Sequence, residues 1–239
     1  MAQMLAEAGV TADLVFGHGV GLHSALVASR AVLITDTLEV VDRTAQFLAR
    51  QPSAIPGAML AVSGFAPAEI VDFCERVRPP KTVFLAIVNS RRQVVASGLR
   101  KSVERLVRQL RAKQAWELTR IPTRLPLHTP LMAQLSRQCD ELVEGPRCHV
   151  PHVRLIHPTT GEDVRTVSGA ERLWRTHLIG MIDFVHCLDK MEEAGVKTYL
   201  EVGLGETLTR LGRWHRPDLP ILSLGRAESV ERVLDARVE

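Results

Sequence analysis

The sequence predicts an α/β protein: a hydrolase-like, parallel-sheet large domain carrying a ferredoxin-like small subdomain. Three observations predict it. Residues 14–28 read as a short apolar strand, a glycine-flanked turn and a helix. Residues 58–124 read in the order βαββαβ, which is that of a ferredoxin-like unit. Residues 196–209 repeat the pattern of strand, glycine turn and helix. The run Gln51-Pro52-Ser53-Ala54-Ile55-Pro56-Gly57 is a linker by composition, and the pattern changes after it. The expected division is therefore 1–56 with 124–239 for the large domain and 57–123 for the small one.

Bulk composition narrows the function classes. Of 239 residues, 46% are apolar but only 4% are aromatic, so a sizeable core must be built from Leu, Val, Ala and Ile. A net charge of +3 is too mild for nucleic acid, which calls for a concentrated basic patch with stacking aromatics. It suits an acidic partner, and equally no partner at all. Cys74, Cys139, Cys148 and Cys187 are scattered without a C-x-x-C pair, the pattern of reduced thiols and not of a disulfide frame or zinc site. No apolar run approaches membrane-spanning length and no basic-then-apolar leader opens the sequence. The expectation is a cytoplasmic protein off the membrane.

The elements follow in order. Residues 1–12 read as the tail of a helix and residues 22–30 as the helix behind the first turn. Leu38, Val41, Ala45 and Leu48 share one face of the next helix, with Thr35 as its N-cap. Strands are expected at 58–63, 82–88, 93–98 and 116–124. Helices are expected at 67–76, opened by Pro67, and at 102–113. A helix over 131–143 and a strand over 150–157 come next. Ser168 with Glu171 reads as a capping box for the helix through His177. Phe184 to Met191 is an amphipathic helix, 196–203 a buried strand, 221–224 the last strand and 230–234 a terminal helix.

The first turn carries the chemistry. Gly17-His18-Gly19-Val20-Gly21 has the layout of a nucleophile elbow, where G-x-S-x-G lifts a serine onto a sharp corner. It resembles the Gly-His-Ser-x-Gly motif of malonyl-CoA:acyl-carrier-protein transacylases, which include the acyltransferase domains of polyketide and fatty acid synthases. The likeness runs over essentially the whole chain. Residues 88–98 resemble the family's Asn-Ser-x-x-Gln-Val-Val-x-Ser-Gly, and 125–132 resemble x-x-Phe-His-Ser-Pro-Leu-Met. Residues 201–209 resemble Glu-Val-Gly-Pro-Gly-x-x-Leu-Thr, with Leu204 for proline. The stretch from Val150 resembles Pro-Val-x-x-Asn-x-Thr-Gly, with His157 or Pro158 at the asparagine.

The resemblance implies roles and departures together. Gly19 stands at the nucleophile position, which is vacant because glycine carries no side chain. Val20 would give an oxyanion N–H, and His128 holds the base position. Asn89 would orient that base through its backbone carbonyl, and His177 stands where the family has a glutamine. On the substrate side stand His18, Leu127 at the position that helps select the acyl group, and Thr44 where an arginine pairs with the malonyl carboxylate. Arg43 is one residue earlier, about 100° around the helix. The family's substrates are malonyl-CoA or acyl-CoA, with no cofactor or metal. Its partners are the acyl carrier protein or neighbouring synthase domains. In the family a longer segment precedes residues 1–12 and supplies a first strand and a Gly-Gln-Gly-x-Gln motif; this sequence has no such motif.

Two readings of function follow. One is an acyltransferase-family domain inactive in acyl transfer, kept as a scaffold or docking module. The other is a working transacylase or thioester hydrolase that uses water activated by His128. An unrelated α/β binding protein would need four ordered motif matches to be accidental.

Overall fold

The computed structural model describes residues 2–51 and 55–235; linker residues 52–54 lie outside it. The chain opens with α1 (Ala2–Glu7), β1 (Leu14–Phe16), α2 (Gly21–Ala28) and α3 (Ile34–Ala49). Next come β2 (Gly57–Ser63), α4 (Pro67–Arg76), β3 (Val83–Ser90), β4 (Gln93–Leu99), α5 (Arg100–Ala112) and β5 (Glu117–Ile121). A 3-10 turn at Pro130–Met132 leads into α6 (Ala133–Leu142), β6 (Arg154–Ile156), β7 (Asp163–Val164) and α7 (Val167–Thr176). The chain closes with β8 (Ile182–Asp183), α8 (Phe184–Glu193), β9 (Tyr199–Glu201), α9 (Thr207–His215), β10 (Ile221–Ser223) and α10 (Ala227–Asp235).

Strands β2 to β5 form an antiparallel sheet in the order β5-β2-β4-β3, the strand order of a ferredoxin-like unit. The period-two pattern of these strands decides their faces. Ala58, Leu60 and Val62 of β2 and Val94 and Ala96 of β4 pack against Ile70 and Cys74 of α4 and Val103, Leu106 and Leu110 of α5. The alternate residues Met59 and Val95 turn to the other face, where they meet Phe16, Leu127 and Ile182. Gly98 permits the close β3–β4 approach, since a Cβ there would lie 2.3 Å from the Thr82 carbonyl oxygen.

The remaining strands are short. β1 runs parallel to β6, which pairs antiparallel with β7, and β9 runs parallel to β10. β1 and β9 each pair with a single strand. Leu22 and Leu26 of α2, Val40 of α3, Cys139 of α6 and Leu173 and Trp174 of α7 form one core. Phe184 and Leu188 of α8, Leu211 of α9, Tyr199, Ile221 and Ile156 form another. β8 joins the two halves by adding in parallel to β3, Ile87 opposite Ile182. Among the described residues no helix is long and apolar enough to cross a membrane.

Three end-of-helix expectations are corrected. α3 begins at Ile34 with Leu33 at the cap, and Thr35 instead bonds Asp36. α7 is capped by Thr166, whose hydroxyl accepts from the Gly169 N–H at 3.0 Å. The cap thus falls two residues before the expected Ser168, because the earlier threonine satisfies the free N–H first. The expected helix from Leu204 begins only at Thr207, where Glu201 reaches over the glycine turn and accepts from the Leu208 and Thr209 N–H groups at 2.9 and 2.8 Å.

Candidate functional site

The turn after β1 is held open by its glycines in different ways. A Cβ on Gly17 would lie 2.3 Å from the Leu22 Cα, so α2 folds back onto β1 only because nothing projects there. Gly19 has φ +56°, the left-handed region that side chains rarely adopt, and a Cβ built on it meets no atom within 4 Å. The corner of the elbow is therefore open, in a conformation that glycine adopts without strain and a side chain would not. Val20 is 86% exposed, and its N–H has no partner among the described residues at the amino end of α2.

His128 lies in the loop after β5, also at positive φ (+60°). Its main-chain N–H donates to the Leu178 carbonyl at 2.8 Å. Its Nδ1 lies 2.9 Å from the Gly180 carbonyl. A carbonyl only accepts, so Nδ1 carries the proton and Nε2 keeps its lone pair. Burial pushes the imidazole down to about 4, with the neighbouring His18 and His177 adding to the effect against the Gly180 bond. The ring is neutral at pH 7.

Gly19 and His128 line one cavity of about 20 Å³, together with Thr159, Thr176, His177 and Gly180. A space of that size holds about one water molecule. His157 also faces it, with its Nδ1 accepting from the Thr159 and Thr160 N–H groups.

The predicted site residues separate into two groups. His18, Gly19, His128 and His177 come together, but two of their expected partners differ. Asn89 does not hold His128 through its backbone: the carbonyl on Nδ1 is that of Gly180. The Asn89 side chain instead accepts from His18 Nε2 at 3.1 Å and donates to Gln93 at 3.2 Å. His177 turns its Nδ1 to the Trp174 carbonyl of its own helix. Burial lowers the His18 and His177 imidazoles below their usual range.

Arg43 and Thr44 do not meet the cavity. Arg43 pairs with Glu39 at 2.5 Å, one turn back on the solvent side of α3. The Thr44 hydroxyl accepts from the Cys139 thiol of α6 at 3.7 Å. Leu127 is packed between the β2–β4 face and the cluster of Met132, Leu135 and Leu178. No thiol substitutes for the absent hydroxyl. Cys74, Cys139 and Cys187 are buried, and burial pushes the Cys74 and Cys187 thiols up to about 12. Ser24 is exposed on α2.

Sequence reasoning did not single out Gly180, Thr159, Thr176 or His23. Gly180 acts through its main chain, which leaves no residue-type signal. His23 sits one turn into α2 with its ring 4.7 Å from Trp174 and 4.9 Å from His177. Its buried Nδ1 has no partner among the described residues, and burial beside His177 pushes the ring down to about 4. Among the described residues no group of three His, Cys, Asp or Glu side chains is arranged to hold a metal ion.

Comparison with known proteins shows the family and the fold. The family model for the acyl transferase domain matches residues 1–213. The malonyl CoA-acyl carrier protein transacylase of Bacillus subtilis is 26% identical over 236 residues, 98% of this chain and 74% of that protein. That of Haemophilus influenzae is 25% identical over 230 residues, 92% of this chain and 71% of that protein. A phenolphthiocerol synthesis polyketide synthase of Mycobacterium marinum is 27% identical over 84% of this chain and 9% of its own length. The solved malonyl CoA-acyl carrier protein transacylase of Coxiella burnetii shares the fold at a TM-score of 0.90 and 24% identity, over 98% of this chain and 74% of that one. The acyltransferase domain from the second module of the salinomycin polyketide synthase does so at 0.81 and 24%, over 97% and 54%. A match over 213 residues, with the glycine elbow and its facing histidine inside it, means that this chain belongs to the acyl transferase domain family and has its α/β fold.

Proposed function

We propose that this domain does not carry an acyl group on the elbow and serves in fatty acid or polyketide synthesis as a scaffold or docking module for an acyl carrier protein or for neighbouring synthase domains. Gly19 carries the proposal. Transfer through a covalent intermediate needs a nucleophilic side chain within reach of its base. Here the residue facing His128 across the cavity is a glycine, and none of the four thiols lines that cavity. Removing the nucleophile from such a relay typically costs several powers of ten in rate. The displaced carboxylate clamp supports the same reading. Thr44 and Arg43 are both engaged away from the cavity, so a malonyl carboxylate would lack its cation.

One observation favours a second reading. The neutral His128 has a free Nε2 lone pair beside a space for one water that Gly19 also lines, and the following Val20 N–H is unpartnered among the described residues. A base and a water are the minimum for attack on an acyl-CoA or acyl-carrier thioester, and the Val20 N–H, one residue after Gly19, would stabilise the oxyanion. In either reading CoA thioesters and carrier protein are the ligands, no cofactor takes part, and the domain works in the cytoplasm.

The test is to incubate the protein with malonyl-CoA and a holo carrier protein and to weigh the carrier by mass spectrometry. The scaffold reading expects no malonyl-carrier above the protein-free background and no accelerated loss of thioester. Malonyl-carrier above background would overturn it. Loss of thioester that disappears in His128→Asn would establish the hydrolytic reading instead.

A further inference from the structure

Two of the chain's three tryptophans, Trp116 and Trp214, are exposed, and Trp116 has a built support beneath it. Trp116, directly before β5, is 72% exposed, where a tryptophan is ordinarily mostly buried. It is not loose. Its N–H donates to the Ser63 carbonyl at 3.2 Å. Gly64, at φ +102°, lies against the ring so closely that a Cβ there would be 2.9 Å from Trp116 Cγ. The Arg92 guanidinium sits 5.4 Å from the ring centroid. Arg92 and Gly64 are joined to one another, Gly64 N–H to the Arg92 carbonyl at 2.8 Å and Arg92 Nη1 to the Gly64 carbonyl at 3.5 Å. Both touch the indole, which stays largely exposed. Arg91 is exposed in the same turn.

The platform stands at the site's end of the small sheet. Glu117, Ser63, Gln93 and Ser90 form one row across β5, β2, β4 and β3. Asn89, next in β3, bonds His18 of the elbow. Three strand spacings put Trp116 about 14 Å from that contact. An extended pantetheine arm bridges such a gap from a thioester at the elbow.

We propose that Trp116, backed by Arg92 and Gly64, is the stacking platform for the adenine of CoA, with Arg91 and Arg92 meeting its phosphates. This rests on CoA thioesters being ligands of the domain. An exposed indole stacks any base by its π-face, and arginine beside it supplies charge for the phosphate groups.

Calorimetric titration of the full chain with CoA, with adenosine 3′,5′-bisphosphate and with pantetheine tests it. CoA and the bisphosphate are expected to bind and pantetheine to bind far more weakly. Trp116→Ala is expected to weaken CoA and bisphosphate about tenfold or more, the scale of one lost stacked base, with Trp116→Phe largely restoring them. Because Trp116 is exposed, an unchanged melting temperature checks that the variants fold. CoA binding unaltered in Trp116→Ala would overturn the platform while leaving the CoA reading intact. No binding of the bisphosphate to the unaltered chain would overturn it as well. Weakened capture of a carrier protein with unaltered CoA binding would assign Trp116 to a protein contact and overturn it too.

Discussion

At residue 19 two properties meet. The backbone is in the left-handed region, and the space around a would-be Cβ is empty. Gly19→Ser therefore meets no clash but adopts a conformation that costs a side chain about 1–2 kcal/mol. The expected result is a melting temperature lower by several degrees with an unchanged fold, read by thermal denaturation. His128 already bears that cost at φ +60°. His128→Gly is therefore expected to be more stable than His128→Ala by about 1 kcal/mol in denaturant titration. Equal stabilities would mean that the loop relaxes and holds no strain. Residue types were legible from the sequence at this scale: the vacancy at 19, the histidine at 128 and the histidine at 177 all stand at the cavity. Contacts made by main chain were not. The Gly180 carbonyl on His128 belongs to no motif, and Asn89, a residue with both donor and acceptor, gave no sign that it would bond His18 rather than the base.

Among the elements, the β1–turn–α2 unit depends on one missing methyl group. Gly17→Ala would force a Cβ against the Leu22 backbone at 2.3 Å, where neither partner is a flexible side-chain end. The expected loss is about 3 kcal/mol or more, visible as a large drop in the denaturation midpoint. A loss under 1 kcal/mol would show that α2 shifts freely on β1. Elements with strong periodicity were legible. The amphipathic α5 and the alternating β2 and β4 follow directly from their apolar spacing, because one buried face fixes each of them. Helix starts were less so. Thr166 and Ser168 are both good caps, and the choice between them depends on where the chain leaves β7. Strands of the large half are shorter than their apolar runs. Residues 150–157 give only Arg154–Ile156, since a partner strand and not the run itself sets the paired length.

Across the whole molecule, the two halves are tied at the site by the His18–Asn89 bond and the β3–β8 pairing. Buried imidazoles gather at the same seam. Burial pushes His23 and His128 down to about 4, and lowers His18, His157 and His177. Unfolded histidine titrates near 6.5. Between about pH 6.5 and 4 the unfolded chain thus binds more protons than the folded one, so stability falls as pH falls through that window. The expected outcome is a melting temperature that drops steadily from pH 7 to 4 and drops less in His23→Phe. A flat profile would mean that these rings are solvated. The antiparallel sheet of β2 to β5 was legible in the βαββαβ order, but the seam was not, because it is made by residues 71 positions apart in sequence.

The proposed absence of an acyl group on this chain is tested by the intact mass of the protein after incubation with malonyl-CoA, with Gly19→Ser in parallel. An unchanged mass is expected for the unaltered chain, since Gly19 has no side-chain atom to acylate. A gain of one malonyl group on the unaltered chain, mapped to any side chain lining the His128 cavity, would contradict it.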